Sequence, residues 1–149
     1  MSPASISTNL GAAGLGAIAG VHLMWAAGSP WPLEHREALA DAVSGRAAGR
    51  VPSPAACLTV AGLLGVAASL VAGRPRWEER VRRVGVIGVV ATLATRAGLG
   101  LAGRTDLLSP GSDSPRFREL DRRLYSPLCL VLAALAFPAA ARPRRAGRR

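Results

Sequence analysis

The sequence contains no lysine: all 19 of its basic residues are arginine. That absence excludes a Walker-type phosphate loop, a Schiff-base lysine and a lysine general base. Aromatic residues are scarce, at 4% of 149 residues, and there are two cysteines. Cys57 and Cys129 both fall near the outer ends of their spans, where a disulfide is conceivable although buried free thiols are expected, and they form no C-x-x-C, so thiol redox chemistry has no motif to run on. The only histidines, His22 and His35, fit no zinc-ligand spacing. Haem held through His22 would lack a second histidine within the membrane. No Ser-His-Asp constellation is visible. We therefore expect no metal, no cofactor and no assigned catalytic residue.

Charge is what four long stretches lack. The first runs from about residue 6 to 28, and His22 is its only ionisable side chain. The second (about 54–73) and the fourth (about 124–141) carry no charge, and the third (about 84–103) carries Arg96 alone. Each is near the roughly 20 residues that a helix needs to cross about 30 Å of hydrocarbon. Inside a bilayer the backbone must satisfy its own hydrogen bonds, so the spans are predicted to be helices. The fold class expected is all-α: a transmembrane four-helix bundle forming one domain over residues 1–149, with a basic tail at 142–149. Residues 1–9 hold no basic side chain, so the first span reads as retained rather than as a cleaved signal.

A net charge of +10 would suggest nucleic acid in a soluble protein. Here the arginines lie between apolar spans and no nucleic-acid motif accompanies them, so the expected partners are a bilayer and its anionic lipids. One short connector holds Arg74, Arg76, Arg80, Arg82 and Arg83, and the tail holds Arg142, Arg144, Arg145, Arg148 and Arg149. The opposite side has Arg36, Arg46, Arg50, Arg104, Arg116, Arg118, Arg122 and Arg123. The density of the 74–83 connector places it in the cytoplasm, with both termini, at the inner (plasma) membrane.

The two outer connectors are expected to carry short interfacial helices. Residues 33–43 are helix-like and end at Ser44-Gly45, with Gly45 as the cap. In 115–125, Phe117, Leu120 and Leu124 recur at helical spacing, as a helix in the headgroup plane or on a solvated surface would have them. Ser126-Pro127 reads as the cap and first position of the fourth span, and Pro138 as a stop or kink. Small residues at four-residue spacing predict the packing faces: Ala12, Gly16 and Gly20; Gly62 and Gly65; and Thr92, Arg96, Gly100 and Gly103. Gly16-x-x-x-Gly20 is also compatible with a homo-oligomer or a partner subunit.

Arg96 is the sharpest feature. An arginine at a helix centre costs about 2.5–3.5 kcal/mol on the insertion scale, and the eight Val, Ile and Leu residues of its span return about 2–5 kcal/mol. The helix is therefore marginal alone, and its guanidinium needs a partner inside the protein. Counting at about 1.5 Å per residue places Arg96 about 10 Å and His22 about 9 Å below the outer ends of their spans. Trp25 follows His22 by one turn on the same face. Asp121 and Asp106 are the candidate counter-ions. His22, Trp25, Arg96, Asp121 and Tyr125 are thus predicted to meet in an outward-opening polar cluster. It reads equally as a ligand site or as a structural hydrogen-bond network.

The string His22-Leu23-x-Trp25, Gly28, Trp31-Pro32, Arg96, then Leu120-Asp121-x-x-Leu124-Tyr125-Ser126-Pro127-Leu128-Cys129 resembles a bacterial family of small four-span membrane proteins. That family is known only as a domain of unknown function. The resemblance covers roughly residues 15–135 and implies the architecture but no activity. The function expected is a small binding or accessory protein of the membrane. The alternative is a membrane enzyme acting on a lipophilic substrate, quinone- or isoprenoid-like, with His22 as acid or base.

Overall fold

The computed structural model describes residues 2–45, 52–108, 110–111 and 114–141. Arg46, Arg50 and the basic tail at 142–149 lie outside the described residues. Helix α1 spans Pro3–Ala26, α2 Arg36–Ser44, α3 Pro54–Ala72 and α4 Glu79–Leu101. A short turn, α5, spans Thr105–Leu108. Helix α6 (Pro115–Leu120) runs through a wide π turn at Asp121–Tyr125 into α7 (Ser126–Ala141). No strand occurs among the described residues. Helices α1, α3, α4 and the composite 115–141 helix are each long and apolar enough to cross a membrane.

Local chemistry sets the helix starts. Ser2 caps α1 and Ser53 caps α3, each ahead of a proline whose missing N–H costs nothing in the first turn. The Glu78 carboxylate accepts from the N–H groups of Arg80 and Val81, so α4 begins well before the apolar run. Gly45 ends α2 at φ +63, a conformation in which an L side chain is strained, as the sequence predicts.

Helix α1 packs along α3 on one side and α7 on another; α7 packs along α4, and α3 and α4 touch little. Leu15, Leu70, Val71, Val86, Leu132 and Ala136 form the core between them. Large apolar side chains on all four helices point outward, among them Leu10, Leu63, Ile87 and Phe137. Water would not tolerate that surface on a monomer, and hydrocarbon does. The chain is a multi-pass membrane protein.

Three local expectations change. First, the fourth span does not start at Ser126-Pro127, because the helix is already running from Pro115, capped by Ser114. Pro127 has no N–H and its ring would crowd the carbonyl four residues back, and a π turn closed by Ser126 N–H on the Asp121 carbonyl relieves this. The helix then passes through Pro138 to Ala141. Second, Phe117, Leu120 and Leu124 do not share one face: Phe117 is buried, whereas Leu124 is 53% exposed. The π turn inserts one residue and rotates everything after it. Third, nothing lies within 4 Å of a side chain built at Gly16, Gly20, Gly62 or Gly65. The close approach of α1 to α7 is made at Gly11, against Leu135 and Ala136, and at Gly14, against Leu132. Helix α1 carries small residues on every side, so their spacing does not select a face.

Arg82 has a role the sequence does not suggest. It is only 5% exposed, and its Nη1 donates to the Ala139 carbonyl at 3.0 Å. Its Nε and Nη2 hold the Glu79 carboxylate at 3.3 and 2.9 Å. The carbonyls of a last helical turn lack intrahelical partners, so this guanidinium straps the start of α4 to the end of α7.

Candidate ligand site at the α2–α6 end

Asp121 is fully buried. Its Oδ1 accepts from Arg96 Nη2 in an ion pair, and its Oδ2 accepts from the hydroxyl of Ser126, also fully buried, at 3.2 Å. Residues five apart on an α-helix diverge by about 140° around the axis. The π turn widens that step, so Asp121 and Ser126 face α4 together. On α4 the cluster rests on Gly100: a Cβ there would collide with Ser126 Oγ and Asp121 Oδ2 and lie 2.9 Å from Arg96 Nη1. Arg96 and Asp121 thus meet, as the cost argument predicts. Arg96 Nη1 is buried and makes no hydrogen bond among the described residues. The pair is closed by protein on most sides, and its chemistry is that of a lock between α4 and α7.

His22 and Trp25 are placed elsewhere. Among the described residues no hydrogen bond, ion pair or ring contact joins either of them to Arg96 or Asp121. The His22 ring lies 4.9 Å from the Trp25 ring, tilted by 55°. Its Nδ1 is 2.9 Å from the Ile18 carbonyl, and Trp25 Nε1 donates to the Trp31 carbonyl at 2.7 Å. A carbonyl only accepts, so Nδ1 carries the proton and Nε2 of the neutral ring is an acceptor. The two side chains line a cavity of about 170 Å³ with Val43, Ala56, Cys57 and Val60, between α1, α2 and α3. Val60 also lines an apolar groove of about 400 Å³ between α3 and α4, with Leu63, Leu70, Val89 and Leu93.

Tyr125 serves a third place. Its hydroxyl donates to the Ala42 carbonyl at 3.1 Å, and its ring stands 6.4 Å from Phe117. With Leu39 and Ala42 buried, these contacts dock α2 onto α6. The predicted five-residue cluster is therefore three structures: a closed ionic lock, an open imidazole cavity and a tyrosine strut.

Ser126 and Cys57 are the site residues that sequence reasoning reads differently, whereas Gly100 lies on the packing stripe predicted for it with Arg96. The five-residue step from Asp121 to Ser126, followed by proline, is the signal for the first. Cys57 and Cys129 are free thiols, and Cys57 lines the His22 cavity. Among the described residues, no three His, Cys, Asp or Glu side chains gather as a metal site would need.

No curated protein and no solved structure matches the chain. Residues 15–136 match the sequence profile of the family described as "Protein of unknown function (DUF3995)", and the chain belongs to that family.

Proposed function

We propose that this membrane protein binds a lipophilic small molecule that ends in a hydroxyl donor, such as a quinol or an isoprenoid alcohol. The observation that carries this reading is the His22 cavity and its shared wall, Val60, with the apolar groove. The Nε2 acceptor would take the hydroxyl, Trp25 would wall the head, and the groove would hold the tail. The other wall residues are mostly apolar, which suits a binding or accessory role. The second reading is an enzyme that uses His22 as acid or base, and the proton fixed on Nδ1 favours it.

Decylubiquinol and geranylgeraniol are suitable probes. His22→Ala should weaken retention of the better probe about tenfold, the worth of one lost buried hydrogen bond with its desolvation. His22→Gln, which restores an acceptor, should recover most of it. Equal retention by wild type and His22→Ala in native mass spectrometry would rule the site out. Chemical conversion of a probe by wild type but not by His22→Gln would favour the enzyme.

We place the bundle in the plasma membrane with both termini in the cytoplasm, on the strength of the five arginines within 74–83. A phosphatase reporter fused after Arg149 should be inactive in intact cells. Full activity there would invert the orientation.

A further inference from the structure

Helices α3 and α4 meet near the turn that joins them and part beyond it. Leu70, 8% exposed, lies across the junction: a Cβ at Gly85 would stand 2.8 Å from its Cδ1 and 3.3 Å from its Cδ2. Leu70 therefore stops the apolar groove at the end far from His22, and the buried Leu15 of α1 backs it. The groove runs along α3 from Val60 to Leu70, about 15 Å at about 1.5 Å per residue. Its near end, at Val60, is also a wall of the His22 cavity.

The two helices run antiparallel, so one turn on from the Leu70–Gly85 contact brings Ala67 level with Gly88. Both line the groove and neither fills it. Ala67 offers one methyl group, and a Cβ at Gly88 would meet nothing within 4 Å. Other glycines also have open space beside them, but Gly88 is the one that lines the groove. There is room for a branched chain just before the stop.

Hydrocarbon already surrounds a free tail in the bilayer, so escape from water contributes nothing and dispersion contact decides. Each isoprene unit seated between Val60 and Leu70 gains such contacts. A unit that reaches past Leu70 must turn out into lipid and gains none. A side chain at position 88 would take the place of the last unit seated.

We propose that the groove measures the isoprenoid tail of the His22 ligand, with Leu70 as the stop and Gly88 as the residue that decides how long a tail fits. This rests on the His22 cavity being the head site, and it adds a limit on tail length that the head site alone does not impose.

The test is native mass spectrometry of detergent-purified protein offered geraniol, farnesol, geranylgeraniol and the much longer solanesol at equal concentration. Retention by wild type should climb from geraniol to geranylgeraniol, by at most about tenfold for each isoprene unit, the ceiling for drug-sized ligands. It should climb no further for solanesol. Gly88→Leu should cut retention of geranylgeraniol about tenfold relative to geraniol. Without ligand this variant should melt no lower than wild type, because leucine favours a helix over glycine and its side chain enters open space. Gly98→Leu makes the same change outside the groove and should leave the ratio as in wild type. His22→Ala should lower every alcohol alike, because it removes the head contact. Retention that ignores tail length, a ratio unchanged by Gly88→Leu, or an equal effect of Gly98→Leu overturns the length limit; if retention still falls in His22→Ala, the head site stands without it. Retention that ignores His22 as well overturns both. A phospholipid that co-purifies with wild type and His22→Ala but not with Gly88→Leu would put an acyl chain in the groove and would also overturn the proposal.

Discussion

Asp121→Ala should destabilise the folded protein by about 3–5 kcal/mol, the expected loss when one partner of a buried ion pair is removed. Asp121 is fully buried, and only 27% of the Arg96 side chain is exposed. Without the carboxylate, the guanidinium would stand in low dielectric with neither of its terminal nitrogens on an anion, since Nη1 is already without a partner. The cost comes from the stranded charge more than from the lost contact. Arg96→Met combined with Asp121→Leu should therefore recover most of the stability, because an apolar pair of similar volume avoids the desolvation of both ions. Asp121→Asn should fall between, as it keeps an acceptor for Ser126 and loses the charge. Reversible unfolding in mixed dodecyl maltoside and SDS micelles measures all three. An Asp121→Ala variant as stable as wild type would mean that Arg96 finds another partner and the lock is not the joint between α4 and α7.

Gly100→Ala should be nearly as damaging, through sterics alone. The added Cβ meets Ser126 Oγ and Asp121 Oδ2 at distances no pair of heavy atoms tolerates, and Arg96 Nη1 at 2.9 Å. Helix α4 must then draw away from α7, which stretches the ion pair as well. We expect a loss of about 3 kcal/mol, the upper end for overpacking. Ser126→Ala in the same chain should return part of it by removing the nearest atom. Gly98→Ala is the comparison: nothing lies within 4 Å of its Cβ, and alanine favours a helix by about 0.5–1 kcal/mol, so no loss is expected. Equal effects at positions 98 and 100, read in the same micelle assay, would remove the close-packed lock from the account.

Both predictions concern a pairing that was already legible in the chain. The insertion cost of Arg96 demanded a counter-ion, and Asp121 was one of two candidates within reach of the right end of the bundle. The other, Asp106, instead pairs with Arg104 at 3.3 Å on the surface. Shared depth does not make a shared site. Residue spacing puts His22 and Arg96 at a similar level on parallel helices, yet His22 faces α2 and α3 while Arg96 faces α7. Residue counting gives height along an axis. It does not give rotation about that axis, which depends on how neighbouring side chains interlock.

The same distinction explains the glycines and the fourth helix. A four-residue spacing marks a stripe, but α1 has several such stripes, and only contact with Leu132 and Leu135 selected Gly11 and Gly14. At residues 121–125, one extra residue in the turn moved Leu124 outward and Ser126 inward. Ser-Pro is read locally as a helix start, and only a helix already running from Pro115 turns it into a π turn.

From the order of its residues alone, this protein is committed to lipid, to four crossings and to a partner for its one mid-span arginine. Those properties follow from transfer free energies summed along a stretch of chain, which need no knowledge of neighbours. The azimuth of each helix, the separation of the imidazole cavity from the ionic lock, and the docking of α2 by Tyr125 came only with the packed bundle. They depend on which surfaces fit against each other, and a linear pattern of apolar and small residues leaves several fits open.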